Sequence, residues 1–580
     1  MPRRILICLC IAILSACGDS PGSPPVDPPC STPLSLRRGE VRLLSGESVL
    51  SCVILGSSAE ASEHLFVSAN AATTADDVQA YRVNAFLGTG TLGSTAAKLP
   101  AGFASNASMQ TGGDDAQHDR PNQFQSAFEH RLRQQERAQL EPYSLAALAT
   151  AAEARRAFER RTRSALSAVP RVSDTLSFRV GNAASSNMCT NYRQVRGVVK
   201  AVGTRALIVL DTEAPNGGFS ASDFQEIATE FDDVVYPVDA QWFGTPTDIN
   251  GDGKITILFT AAINRLTPPG SLGFAGGFFY SGDLLPRSIP SQGYNCESSN
   301  EQEIIYLLAP DPNGQINGNR FSLTTARESS RGTTAHELQH LINQGVRQSV
   351  SRSATLEVTW LNEGLSHFAE EAVGRAVRRY SDFRRLRYAD VLVDLDDYDS
   401  YFRQNLLRFR LWMERPDLAS PISALAGSQL APRGAAWALV RYAIDQYAGV
   451  DARAFTRALV AGPQVDVANL EARARVALDQ ILPGFLVANF ADTSATSLEA
   501  RYRYSSWAMR DAMTSLNGGV FPLRVTTLPA DATMSSRSGS GNYFLFARGA
   551  AAGPATLRMS PTSGGASAFA NARLYVVRVK

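Results

Sequence analysis

The hydrophobic and polar positions of this chain change period several times, and each change marks a change of architecture. Near the N-terminus, short apolar runs such as Val41-Arg42-Leu43-Leu44 and Leu65-Phe66-Val67 are broken by Gly and Ser, which predicts a small β domain over residues 30–105. A stretch rich in Gly, Ala, Ser, Asn and Asp, from Pro100 to Asn122, reads as a linker. Charges then dominate from Phe124 to Ser164, as in Glu129-His130-Arg131-Leu132-Arg133 and Glu153-Ala154-Arg155-Arg156. Residues 106–168 are therefore expected to hold a linker and a solvated, salt-bridged helical segment. Its simplest role is a spacer; its position also suits a pro-segment or inhibitory arm.

Strand patterns resume at Leu176–Val180 and at Ala206–Leu210, the latter apolar enough to be buried on both faces. Ser222 followed by Gln225 has the form of a capping box, and Phe224, Ile227, Ala228 and Phe231 then share one helical face. The apolar run Ile304–Leu308 also reads as a strand. Mainly helical sequence runs on to Leu516, most clearly at Gly434–Tyr447, where Trp437, Val440, Ala443 and Ile444 recur at helical spacing. After Gly518, the runs Tyr543–Phe546 and Leu574–Val577 predict a β appendage over residues 519–580. The whole reads as a multidomain α+β chain: a mixed region, 169–518, with small β domains at both ends.

Composition adds two constraints. The chain has 580 residues, 44% hydrophobic and 19% charged, with a formal net charge of +1. That balance suits a globular protein and argues against nucleic acid as its main partner. At the N-terminus, Arg3 and Arg4 precede the apolar run Ile5–Leu14, which is too short to span a bilayer and reads as a signal-peptide core, residues 1–16. Leu14-Ser15-Ala16-Cys17 resembles the bacterial lipobox, which implies cleavage before Cys17 and its lipidation. Residues 17–29, rich in Gly, Ser and Pro, then form a tether. Export and lipid anchoring to a bacterial membrane or cell surface follow, with Gly18 favouring the outer membrane in a Gram-negative cell. An ordinary secretory signal is the alternative.

The chemistry centres on His336-Glu337-Leu338-Gln339-His340, an HExxH segment, with Trp360-Leu361-Asn362-Glu363-Gly364-Leu365-Ser366 downstream. Residues four apart on a helix share a face, so both imidazoles can converge on one zinc ion. Glu337 is placed to take a proton from a metal-bound water. Three of the six His in the chain, His336, His340 and His367, fall in this short stretch. Thr333 or Thr334 is expected to cap the helix, and Leu338, Leu341 and Ile342 to form its apolar side. Glu363 is the expected third ligand, completing a His₂Glu site with an open position for water.

Asn362-Glu363-x-x-Ser366 resembles the second zinc-binding motif of thermolysin-like gluzincins. The full combination is most similar to the hyicolysin family of secreted metalloendopeptidases, over about Gly203–Leu516. The resemblance implies a thermolysin-like zincin domain, zinc on His336, His340 and Glu363, Glu337 as the catalytic base, and protein or peptide substrates. Two departures stand out. Twenty-two residues separate His340 from Glu363, a longer gap than in thermolysin-like enzymes, to be absorbed by a polar loop, Gln344–Ala354. Position 367 is His where those enzymes carry Asp; it is a partner behind the metal ligands, an oxyanion donor or an ordinary satisfied helix histidine. Glu370 and Glu371 read as a solvated face, with Glu370 a remote alternative ligand. Tyr398, Tyr401 and Arg433 are candidates for a transition-state donor.

Two features stay open at this level. Asp248, Asn250 and Asp252 begin like an EF-hand calcium loop, but position twelve is Phe259; a partial calcium loop and a plain Asx/Gly turn both fit. With Cys8, Cys10 and Cys17 set aside, the four remaining cysteines allow three pairings, and proximity favours Cys30–Cys52 and Cys189–Cys296. The leading expectation is a lipid-anchored zinc endopeptidase. Alternatives are a catalytically silent zinc-binding or adhesion lipoprotein, and an aminopeptidase. Retention of Glu337 beside both His argues against the first. The Gly-rich stretch Leu272–Gly277 is a poor match to an exopeptidase element, which weakens the second, and reads instead as a loop or edge strand.

Overall fold

The computed structural model describes residues 33–88, 123–162, 169–351, 355–424, 429–492, 498–528, 530–562 and 570–580. The expected leader at 1–16, Cys17, the expected tether at 17–29, Cys30 and the expected linker around 100–122 lie outside them.

The chain opens with four strands: β1 (Val41–Ser45), β2 (Val53–Leu55), β3 (Ser62–Asn70) and β4 (Val78–Leu87). Along β4, Tyr81, Val83 and Ala85 point inward while Val78, Ala80 and Arg82 face solvent, the period-two pattern of a half-buried strand. Two helices follow, α1 (Gln123–Leu140) and α2 (Leu145–Thr162). Their apolar residues Phe128, Leu132, Leu145, Leu148 and Ala152 are buried.

A six-stranded sheet comes next. It is built from β5 (Thr175–Gly181), β6 (Tyr192–Val202), β7 (Ala206–Asp211), β8 (Ile255–Thr260), β9 (Gly277–Phe279) and β10 (Ile304–Leu308). Their order is β5-β6-β7-β8-β10-β9, with β7, β8 and β10 parallel and β9 an antiparallel edge. The Gly-rich stretch Leu272–Gly277 thus runs into an edge strand. The continuous apolar run of β10 is explained by two cores. Ile305 and Leu307 join one cluster, while Ile304, Tyr306 and Leu308 join the other with α1 and α2. The helix α3 (Ala221–Glu230) begins with a capping box at Ser220 and Asp223, two residues before the expected Ser222–Gln225 pair. It is followed by α4 (Tyr236–Phe243).

The HExxH segment lies in α5 (Leu323–Gly345), a longer helix than its pattern suggests. Its N-cap is Ser322, whose side chain accepts the Thr325 N–H at 3.0 Å, not Thr333 or Thr334. Every residue from Thr334 to Gly345 is buried. The extra length before Glu363 is partly helical: Val346–Val350 continues α5 as a π-helical turn. Arg347 in that turn is buried against Glu357 at 3.4 Å, so the polar stretch is not simply a solvated loop. Glu363 lies on α6 (Thr359–Val377). Two further helices pack behind it, α7 (Arg403–Glu414) and α8 (Leu430–Tyr447). Their closeness explains two glycines. A Cβ at Gly364 would lie 3.0 Å from the Ala436 carbonyl oxygen, and one at Gly434 would lie 2.2 Å from the Arg408 carbonyl carbon. Neither gap admits a side chain without moving a helix.

The last strands are β11 (Val525–Thr527), β12 (Ala530–Arg537), β13 (Gly541–Arg548), β14 (Ala555–Pro561) and β15 (Ala572–Arg578). They do not form a domain of their own. They interleave with the N-terminal strands in two sheets, β1-β15-β3-β13-β11 and β12-β4-β14-β2. The expected pair of β domains is one sandwich closed by both ends of the chain, with Val41 opposite Val577 and Tyr81 opposite Met534. Alternation shows that a run is a strand but not which distant strand pairs with it. One consequence is direct: excising residues 30–168 would strip four strands from this sandwich.

Cys189 and Cys296 are disulfide-bonded, as proximity suggested. Cys52 is buried, and its expected partner Cys30 lies outside the described residues. No helix among the described residues is long and apolar enough to cross a membrane.

Candidate metal centre

Helices α5 and α6 bring the sequence-predicted residues together. His336 and His340, one turn apart, place their Nε2 atoms 3.1 Å from each other. Glu363 faces both: its Oε2 lies 3.5 Å from His336 Nε2 and its Oε1 lies 3.7 Å from His340 Nε2. Ligand atoms around a tetrahedral zinc, bound at about 2.0–2.1 Å, are separated by about 3.3 Å. Two imidazoles and a carboxylate at these separations fit such an ion in both chemistry and size.

A second ring of contacts orients this group. The Nδ1 of His336 lies 2.7 Å from Glu370 Oε1, leaving Nε2 directed at the centre. Ser366 Oγ lies 3.1 Å from His340 Nδ1. His367 shares the same Glu370 oxygen at 2.9 Å, and its ring centroid lies 4.6 Å from that of His336. The Arg408 guanidinium approaches His367 Nε2 to 3.1 Å, and Asn405 Nδ2 donates to the His367 carbonyl at 2.9 Å. His336, Glu363 and His367 also offer ligand atoms within 4.8 Å of one another, so His367 belongs to the centre's immediate surroundings.

Several expectations change here. Glu370 and Glu371 are not a solvated face; both are buried. Glu370 holds the two histidines, and Glu371 accepts from Arg375 Nε at 2.7 Å, Trp507 Nε1 at 2.9 Å and Trp437 Nε1 at 3.0 Å. Of the three candidate donors, only Arg433 reaches the centre, its Nη2 lying 2.7 Å from Glu363 Oε2. Tyr401 donates instead to Glu230 at 2.8 Å, and the Tyr398 hydroxyl lies 3.2 Å from that of Tyr388. Asp239 on α4 was not anticipated. It is fully buried, neither oxygen has a hydrogen-bond partner among the described residues, and burial raises its pKa well above the carboxylate range, against the pull of His336.

The charged helix α1 also enters this centre. Arg133 Nε donates to Glu363 Oε1 at 3.1 Å, and its Nη2 lies 3.8 Å from Glu337 Oε2. The expectation of a solvated segment is therefore wrong for one face of α1. The spacing of Glu129, Arg133 and Glu136 is the signal that could have shown it, because these positions form one stripe.

The electrostatics of the metal-free site follow from burial and proximity. Burial pushes the Glu337 carboxyl up to about 7, against the pull of His336 and Arg133. Burial alone would lower His336, but its contacts with Glu363 and Glu370 win and lift it to about 10. Burial drives His340 well below the usual imidazole range, with Arg133 adding to the effect. Burial opposes ionisation of Glu363, but Arg433, with His336 and Arg133, outweighs it and holds it well below the carboxylate range. A neutral His340, an ionised Glu363 and a proton on His336 that a cation would displace make a receptive donor set.

The Asp248 turn is closed by its own hydrogen bonds. Asp248 Oδ1 accepts the N–H groups of Gly251 at 3.0 Å and Gly253 at 3.2 Å, and Asn250 Nδ2 donates to Asp252 at 2.9 Å. Just beyond it begins β8.

No family model matches the chain. The chain is similar to the neutral metalloprotease ShpI of Staphylococcus hyicus, with 27% identity over 146 residues. That stretch covers 25% of this chain and 30% of the relative, so this chain spans less than a third of the relative's length.

Proposed function

We propose that the protein is a zinc-dependent endopeptidase, exported and lipid-anchored through Cys17, with His336, His340 and Glu363 as metal ligands and Glu337 as general base. The observation that carries this reading is the convergence of His336, His340 and Glu363 at 3.1–3.7 Å, with Glu337 beside them. The likeness to a neutral metalloprotease supports it. His340 is preferred to His367 as second imidazole because its Nε2 lies 3.1 Å from that of His336, whereas both ring nitrogens of His367 are engaged, by Glu370 and by Arg408.

A bound zinc supplies a Lewis acid for the scissile carbonyl and acidifies a water molecule. The protein's own groups do the rest. Glu337, with a pKa raised by burial to about 7, is suited to accept the water's proton and pass it to the leaving amine. Edge strand β9 offers a backbone beside which an extended peptide can pair, in the manner of strand addition. Glu370 is a positioning residue acting through His336. Glu370→Gln is expected to weaken zinc binding by roughly 10–100-fold, read by competition with a chromogenic chelator.

The test of the function is reversible inactivation. Cleavage of a denatured protein substrate is expected to stop when zinc is chelated and to return when zinc is restored. Cleavage that persists in chelator would exclude the reading.

A further inference from the structure

We propose that α1 is an internal plug of the metal centre: its Arg133 stands against the carboxylate the metal requires, so metal binding and displacement of α1 are one coupled event. The inference rests on the ligand assignment above.

Three residues of α1, spaced i, i+4 and i+7, face the centre and are buried. Glu129 Oε2 accepts from Arg433 Nη2 at 2.9 Å. Arg133 bonds Glu363 and approaches Glu337. Glu136 Oε1 accepts both the backbone N–H of Ser281 at 2.9 Å and its hydroxyl at 2.8 Å, just beyond edge strand β9. The helix thus occupies the ligand carboxylate, the general base, the neighbouring arginine and backbone beside the edge strand. These are the groups an extended substrate needs to reach.

The exposure of the centre agrees. His336 is 5% exposed, Glu337 3%, His340 2% and Glu363 0%, so all four groups are covered with α1 in place. Space remains on either side: a cavity of about 290 Å³ reaches His336 and Glu337 beside Glu129, and one of about 30 Å³ reaches His340 beside Arg133 and Glu136. The helix is docked, not merely adjacent. Its apolar side sets Phe128 against Phe278, with ring centroids 6.1 Å apart. Gln135 Nε2 donates to the Ser185 carbonyl at 2.9 Å, and its Oε1 accepts the Met188 N–H at 2.8 Å, next to the Cys189–Cys296 bond.

Electrostatics couples the plug to the metal. A guanidinium and a dication held against one buried carboxylate repel, enough to shift metal affinity by on the order of a hundredfold. An arginine with a purely structural role would leave α1 in place when the metal binds.

Zinc affinity and hydrogen exchange separate these cases without relying on catalysis. Arg133→Gln is expected to bind zinc on the order of a hundredfold more tightly than the natural chain, in competition with a chromogenic chelator. In the natural chain, which needs no substitution to fold, zinc is expected to speed amide exchange across residues 123–140 while slowing it across 336–340. Equal affinity in both proteins, with exchange across 123–140 unchanged by zinc, overturns the plug and leaves the ligand assignment standing. Zinc bound by neither protein overturns the assignment and the plug with it.

Discussion

Glu337→Gln is expected to lower peptide-bond cleavage by roughly 10²–10⁴-fold, the usual contribution of a positioned acid–base group, while leaving bound zinc unchanged. The substitution preserves shape and the hydrogen bond from the Phe279 N–H, now 2.9 Å from Glu337 Oε2, because an amide oxygen accepts as a carboxylate oxygen does. What is lost is the ability to take a proton. Burial has already raised the Glu337 pKa to about 7, so in the metal-free site the group titrates near neutrality. The rate should be measured on the natural chain and on the Arg133→Gln background, so that a closed cleft is not mistaken for a missing base. Cleavage at the natural rate in Glu337→Gln, on either background, would remove Glu337 from the mechanism.

Glu363→Ala is expected to have two separable effects. Stoichiometric zinc binding should be lost, because the only carboxylate in the proposed ligand set is gone. The metal-free protein should also be destabilised by about 3–5 kcal/mol, since two buried guanidinium groups lose their shared partner. Arg133 and Arg433 approach Glu363 to 3.1 and 2.7 Å, and Glu363 is fully buried. Chemical denaturation without metal reads the second effect, and metal titration of the folded fraction reads the first. Full zinc stoichiometry in folded Glu363→Ala would place the third ligand elsewhere.

The clustering of His336, Glu337, His340 and Glu363 was legible because the spacing that metal chemistry would need is local. His336, Glu337 and His340 are tied by one helical turn, and Glu363 was named from its short flanking motif; the structure brings all four together. The groups around them were not legible in the same way. Glu370 and Glu371 look like any acidic pair on a solvated helix until a second helix buries them. Arg133 is more than 200 positions from Glu337 and Glu363, and no local pattern links them. Its stripe with Glu129 and Glu136 was visible, but charges at helical spacing ordinarily face water. The strands followed the same division. Ala206–Leu210 and Ile304–Leu308 declared themselves by their continuous apolar runs. Pairing of β1 with β15 could not be read, because register across the whole chain length leaves no mark within either strand.

Length misled in one further place. The HExxH helix was expected to begin near Thr333, where the apolar pattern starts, yet Ser322 caps it. The first three turns are polar and amphiphilic only weakly, so periodicity gave no warning. Thr, Ser and Gly give that stretch low helix propensity, so the tertiary contacts around the buried Ala326 and Ser330 carry it.

His336, His340 and Glu363 are proposed to hold one metal ion. Anomalous scattering at the zinc edge, from crystals of the zinc-loaded chain, tests it most directly. A single strong peak is expected within about 2.0–2.2 Å of His336 Nε2, His340 Nε2 and a Glu363 oxygen, with Arg133 moved away. A peak bound by His367 in place of His340, or no peak between α5 and α6, would contradict it.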